Sequence, residues 1–338
     1  MGPVVKQNWK PILLLIVLAP FLAEIISGAT PLPQFFLPGI FLGYVIVLYG
    51  LQVLVIREDA IRGKLGLLGL WCLGLVYGLY NEGPRAETLF YPLPAPLEEF
   101  FAYGLVGGVR VPFTVWISFW HGLFSVVTPI LLVEYLFPDK ARQPWLPLKA
   151  TWSVAVLSVA TAVAYFVFLG DEASTQPSAT LAAHLGFMVV AALVLSYVAG
   201  KLPRTPRITA NSDVHSFTWR RFSAGALLYV VMVIVPEVLA QAKVPWPLFV
   251  LYLAAVATVA GWAVARRRQT TREQVVVVVL GAGTAQAVLM VVAGVLIGDI
   301  MWAAACVLFT AVFITALVRI RRGERRSLPA EMGTPDVH

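Results

Sequence analysis

The stretch Val111 to Phe137, VPFTVWISFWHGLFSVVTPILLVEYLF, decides how the whole chain is read. It is apolar over more than the roughly 20 residues that carry an α-helix across a hydrocarbon core of about 30 Å. Its apolar residues follow one another without the strict alternation of a barrel strand, whose lumen-facing side chains would be polar. Backbone groups facing lipid must bond within their own segment, so a helix is the natural solution. Thr114, Ser118, His121, Ser125 and Thr128 recur at spacings of four, three, four and three, which puts all five on one helical face turned away from lipid. His121 lies ten residues in from Val111, roughly 15 Å at a rise of 1.5 Å per residue, and so near mid-membrane. The hydroxyls of this stripe are expected to bond neighbouring helices, while the imidazole is in addition a candidate for function.

Similar runs recur on both sides. With 59% hydrophobic residues and a mean hydropathy of +0.82, the chain carries more apolar surface than a soluble core can hide. The expected fold is an all-α, polytopic transmembrane helix bundle of about ten spans: Pro11 to Ala29, Phe35 to Ile56, Leu65 to Glu82, Val111 to Phe137, Leu148 to Leu169, Ala179 to Gly200, Phe222 to Ala240, Pro247 to Ala265, Gln274 to Ile297 and Ile300 to Leu317. Threading them with the amino terminus inside leaves Arg85, Arg110 and Lys243 as the basic residues outside, 3 of 25, with the other 22 in cytoplasmic segments. Basic residues concentrate on the cytoplasmic side, so both termini are expected there, in the cell membrane. Lys6, Lys10, an apolar run and Ser27-Gly28-Ala29 imitate a secretory signal, but Pro20 and Glu24 interrupt the run, so a retained first helix is expected.

No soluble domain fits between spans. Residues 1–320 read as a single membrane domain, divisible into halves 1–200 and 222–320 by a proline-containing cytoplasmic loop at 201–221. Five spans is an odd number, so duplicated halves would be inverted, as in many transporters. Residues 321–338 read as a basic cytoplasmic tail without structure. Clusters of Lys and Arg at helix ends explain the net charge of +7 through topology and anionic lipid, and exclude a nucleic-acid interface. Cys72 and Cys306 fall inside spans and imply no disulfide framework. Four scattered histidines, with no phosphate loop, thiol metal site or nucleophile elbow, imply no metal centre and no cofactor.

Ionisable residues within spans are costly and mark functional sites. Glu24, Glu82 and Glu237, near the outer ends of the first, third and seventh spans, are expected to converge with His121 on an outward-opening acidic cavity that draws cations or takes up protons. Gly74 and Gly78 form a small-x-x-x-small pair that allows close helix packing. Gln52, Gln286 and Tyr77 are lesser candidates to line a path. In the outer connection, prolines forbid a helix up to Leu97, after which Leu97 to Val109 suits a short interfacial helix opening with Glu98 and Glu99.

Three segments, Leu22-Ala23-Glu24-Ile25-Ile26-Ser27-Gly28-Ala29-Thr30-Pro31, Val55-Ile56-Arg57-Glu58 and Tyr77-Gly78-Leu79-Tyr80-Asn81-Glu82-Gly83, resemble an uncharacterised family of prokaryotic polytopic membrane proteins over roughly the first 140 residues. The resemblance singles out Glu24, Arg57 and Glu82 and implies no activity; Asn81 stands where that family has a second glutamate. A looser likeness is to the CAAX-processing and bacteriocin-processing intramembrane proteases. Glu98-Glu99-Phe100-Phe101-Ala102-Tyr103 resembles their Glu-Glu-x-x-x-Arg motif with Tyr103 in place of the arginine, and His121 follows with Ile117 where a phenylalanine is expected.

The reading carried forward is a permease-like binder or transporter of a small solute or cation, with Glu24, Glu82, His121 and Glu237 as ligand-binding residues. Its alternatives are an intramembrane hydrolase using Glu98, Glu99 and His121, and a non-catalytic subunit of a membrane assembly. The partners expected are the lipid bilayer and a small solute, not nucleic acid.

Overall fold

The computed structural model describes residues 3–85, 88–90, 103–169, 178–202, 217–266 and 272–327. Ten long helices run through them: α1 (Val4–Ile25), α2 (Pro38–Arg62), α3 (Leu67–Tyr80), α4 (Val111–Leu136), α5 (Leu148–Leu169), α6 (Ser178–Lys201), α7 (Trp219–Gln241), α8 (Trp246–Arg266), α9 (Arg272–Ile297) and α10 (Ile300–Ser327). Among the described residues the fold is all-α apart from one hairpin. By length and composition, α1, α2, α4, α7, α8 and α9 contain stretches able to cross a membrane, and α5, α6 and α10 contain shorter apolar ones. Large apolar side chains such as Trp152, Leu193, Leu251 and Leu296 are exposed, as lipid-facing residues must be. Helix α10 runs seven residues into the stretch expected as a tail; residues 328–338 and 203–216 lie outside those described.

The outer connection departs from expectation. Leu105–Val106 (β1) pairs antiparallel with Val109–Arg110 (β2), and Val109 bridges to Phe90, so the carboxyl end of the expected interfacial helix is a hairpin. Gly107 and Gly108 both take positive φ, which the turn between the strands requires and a helix forbids.

The chain forms two compact units, residues 1–205 with 230–267 and residues 206–229 with 268–338. In the first, α3 packs on α4 and α6, α1 on α2 and α4, α2 on α5, and α8 on α4. Glycines set these approaches. A Cβ on Gly74 would fall 2.6 Å from the Cα of Gly122, and one on Gly78 2.7 Å from that of Ser118, so α3 lies directly against α4. A Cβ on Gly50 would meet the Ile16 carbonyl at 2.5 Å. That carbonyl would ordinarily accept from the residue four further on, which is Pro20 and has no N–H to give.

Four helices contain a π turn: Phe21–Ile25 in α1, Gly43–Leu48 in α2, His121–Val127 in α4 and Val230–Ile234 in α7, and Asn81–Arg85 forms a fifth directly after α3. Prolines adjoin three of them, at Pro20, Pro129 and Pro236, where the missing N–H already breaks the regular ladder.

In the second unit the first turns of α7, Trp219–Tyr229, cross α9, and α9 packs on α10. Gly225 and Gly281 make that crossing possible, since Cβ atoms there would fall 1.9 Å from the Val278 carbonyl and 2.1 Å from that of Phe222. Phe313 of α10 fills the space beside Gly283.

Candidate functional site

Gly74, Gly78 and Glu82 are spaced by four, so the face that brings α3 against α4 also delivers the Glu82 carboxylate to His121. Glu82 Oε1 lies 2.7 Å from His121 Nε2, and Ser125 Oγ lies 2.8 Å from His121 Nδ1. Asn81 donates to Glu82 Oε1 at 3.1 Å, and the Thr88 hydroxyl donates to Oε2. All three members of the chain are buried, Glu82 with 9%, His121 with 2% and Ser125 with none of its surface exposed. Each side chain except Thr88 stands on a π turn, where one extra residue per turn re-aims side chains and such distortions gather at functional sites.

Glu24 is brought beside this pair. Its carboxylate accepts from Tyr49 OH at 2.5 Å and from Thr30 Oγ1 at 2.5 Å, and Thr30 in turn meets Tyr44 OH at 2.7 Å. The Tyr49 ring lies 6.2 Å from the His121 ring, and Tyr77 and Trp120 stand edge-on to that ring at 5.6 and 5.2 Å. Tyr49 reaches Glu24 because α2 breaks there: its φ and ψ of −124° and −60° leave the helical region, and its N–H closes the π turn on the Tyr44 carbonyl at 2.8 Å. Two carboxylates and an imidazole are thus walled in by aromatic rings.

Glu237 is not joined to this network. It is half-buried on α7 beyond the π turn, and among the described residues it has no hydrogen bond or ion pair. Glu98 and Glu99 lie outside the described residues. The polar stripe of α4 divides: His121 and Ser125 enter the site, whereas Thr114 and Ser118 donate to the carbonyls four residues back, those of Arg110 and Thr114, at 2.9 and 2.7 Å. Those two hydroxyls therefore do not bond neighbouring helices, a difference that follows from the i−4 carbonyl being the nearest acceptor.

Arg57 belongs elsewhere. Fully buried, it donates to Glu58 at 2.7 Å, to Glu134 at 3.2 Å and to the carbonyls of Lys140, Ala141 and Gln143, and its guanidinium stacks 3.7 Å over the Trp145 ring. Glu58 also accepts the Trp145 and Leu146 N–H groups. This cluster clamps the α4–α5 connection onto the far end of α2. The same end holds the start of α1, through Asn8 to the Trp145 carbonyl and Lys140 to that of Gln7.

Arg110 is a residue the sequence did not single out. It precedes α4, is 1% exposed, and folds its guanidinium 4.3 Å over the Phe113 ring. Burial lowers its pKa to about 10, against the opposing pull of the Glu82 charge, so it remains a cation at neutral pH. Tyr49, Thr30 and Thr88 were missed as well; hydroxyls inside apolar helices carry no distinguishing spacing.

The sequence model of an uncharacterized membrane protein family matches residues 13–322. The chain belongs to that family. A curated relative, an uncharacterized protein of Archaeoglobus fulgidus, is 30% identical over 175 residues, 50% of this chain and 52% of its own length. The chain thus spans about half the length of that relative. No solved structure matches. With family membership and apolar helices together, the protein is a multi-pass membrane protein in contact with the bilayer.

Proposed function

We propose that this protein is a permease-like binder or transporter of a small solute or cation, in which Glu82 and His121, with Glu24 beside them, hold the proton or cation that moves. The observation that carries the reading is the buried 2.7 Å contact between Glu82 and His121. Taking a carboxylate and an imidazole out of water costs several kcal/mol per charged group, and a helix bundle needs neither for packing. A pair that shares a proton across a short bond can take it from one side and give it to the other when the helices around it shift. The π turns that carry both residues are the places where such a shift is least costly.

Ten spans with both termini in the cytoplasm complete the proposal, in the cell membrane. The support is that Lys6, Lys10, Arg57, Arg62, Lys140 and Arg142 gather at the one end of the first unit that the Arg57 clamp ties together. Radiolabelled uptake into proteoliposomes, across a panel of cations and small organic solutes, tests the function. Accumulation of at least one solute, lost in Glu82→Gln, is the expected result. Folded, reconstituted protein that moves nothing across the panel would remove the proposal.

One observation favours a second reading. Ser125, His121 and Glu82 are linked in the order nucleophile, base and carboxylate, as a hydrolase would link them. Ser125 is, however, wholly buried, so no carbonyl substrate reaches it in this conformation. Labelling of Ser125 by a fluorophosphonate would favour that reading over transport.

A further inference from the structure

Arg110 is a buried cation with donors that no described residue accepts. Its Nε and Nη2 atoms are shielded from solvent and have no hydrogen-bond partner among the described residues. The backbone of Arg110 is held in place: its N–H donates to the Leu89 carbonyl at 3.0 Å, Phe90 bridges to Val109, and the Leu89 N–H donates to the Glu82 carbonyl at 3.3 Å, while the guanidinium rests on the Phe113 ring. Strand β2 is therefore pinned to the segment that also supplies Thr88 to the Glu82 carboxylate. Neither Nε nor Nη2 of Arg110 bonds that carboxylate, whose oxygens meet His121, Asn81 and Thr88 instead. The adjoining start of α4 carries no side-chain cap, so the positive end of that helix faces the same neighbourhood.

A charged group with orphaned donors is among the costliest things a protein interior can hold. The planar fork of a guanidinium matches a carboxylate or a phosphate with two parallel bonds. We propose that Arg110 anchors a small oxyanion, the carboxylate or phosphate group of a ligand, beside the Glu82–His121 pair. This identifies the class of solute for the permease-like reading and rests on that reading only in calling the ligand cargo; the binding itself does not.

The test is thermal unfolding of the purified full-length protein in non-ionic detergent, with sodium acetate or inorganic phosphate titrated against chloride at constant ionic strength. The wild type is expected to gain Tm saturably with at least one of the two anions. Arg110→Met should lose that response while its Tm in chloride stays equal or rises, since the substitution removes an uncompensated charge. Arg110→Lys should keep a weaker response, with the apparent affinity down about tenfold or more, because an ammonium offers no fork. A parallel arm compares nanodiscs of phosphatidylcholine with and without phosphatidylglycerol. Stabilisation that needs both phosphatidylglycerol and Arg110 supports the oxyanion site and assigns it to a lipid headgroup. Three results overturn the proposal: no saturable response in folded wild type in any arm, an undiminished response in Arg110→Met, or a fall of several degrees in the Tm of Arg110→Met in chloride, which would mean that Arg110 is structurally paired. An Arg110-dependent anion response in protein that transports nothing would leave the subsite standing and remove the transport reading instead.

Discussion

His121 uses both ring nitrogens, one on Glu82 and one on Ser125, and the two contacts are unequal in consequence. Ser125→Ala removes one hydrogen bond inside a membrane protein and should cost roughly 0.6 kcal/mol, leaving transport reduced but present. His121→Ala strips Glu82 of its imidazole and should abolish transport, at a stability cost of about 1–3 kcal/mol for the buried group left short of a partner. Solute uptake and thermal unfolding, measured on the same preparations, separate the two effects. Arg57 should behave in the opposite sense. Arg57→Met removes the buried cation that Glu58 and Glu134 share and leaves Glu58 only the 3.5 Å contact with Arg62, for a loss of about 3–5 kcal/mol, while the Glu82–His121 contact is untouched. Glu24, Glu82 and His121 could be picked from the sequence because an ionisable group in an apolar helix is rare enough to need a reason. Glu237 has the same local signature, a carboxylate beside a proline in an apolar run, yet no described residue bonds it. Sequence shows the cost of burying a group, not what meets it across the helix interface. Arg110 was passed over for the related reason that a cation at a span end reads as an interfacial anchor.

Helix contacts that the glycines impose are as important to the site as the polar groups. A methyl group on Gly78 would press 2.7 Å from the Cα of Ser118, so Gly78→Ala should push α3 from α4, costing about 1–3 kcal/mol and lengthening the Glu82–His121 contact. Gly225→Ala, which meets the Val278 carbonyl, should destabilise the second unit by a similar amount and spare the site. Equal loss of transport in both variants at equal residual folding would show that Gly78 has no special role. The π turns make a separate expectation. Deleting Val126 would turn His121–Val127 into an α-helical stretch and leave the helix beyond it in nearly the same rotational register, so Glu134 should keep Arg57 while the turn that carries His121 and Ser125 is re-spaced. The deletion variant should lose transport yet unfold at a higher temperature than one lacking Leu132, where a regular α-helical turn has no extra residue to give up. The Gly74–Gly78 pair was legible as a packing motif, but the π turns were not: hydropathy averaged over a turn is blind to one residue more or less. Tyr49 illustrates the loss, since it faces Glu24 only because α2 breaks at that residue.

At the scale of the molecule, the helices were the most legible feature, because about 30 Å of hydrocarbon imposes a length that a reader can count. All ten expected spans have a helix among the described residues, though only six meet the length and composition needed for a crossing without qualification. The hairpin Leu105 to Arg110 was not foreseen, since its glycines were read as part of a helix. The proposed threading, with both termini inside, predicts that a cysteine placed in the 266–272 connection resists a membrane-impermeant maleimide in intact cells and reacts after permeabilisation. The central claim is that the Glu82–His121 pair carries a proton with the solute. Proteoliposomes loaded with pyranine test this most directly, by following internal pH when a transported solute is added outside. Wild-type protein should change the internal pH in step with uptake, and Glu82→Gln, folded to the same extent, should not. Solute uptake with no pH change, or the same pH change in Glu82→Gln, would contradict the account.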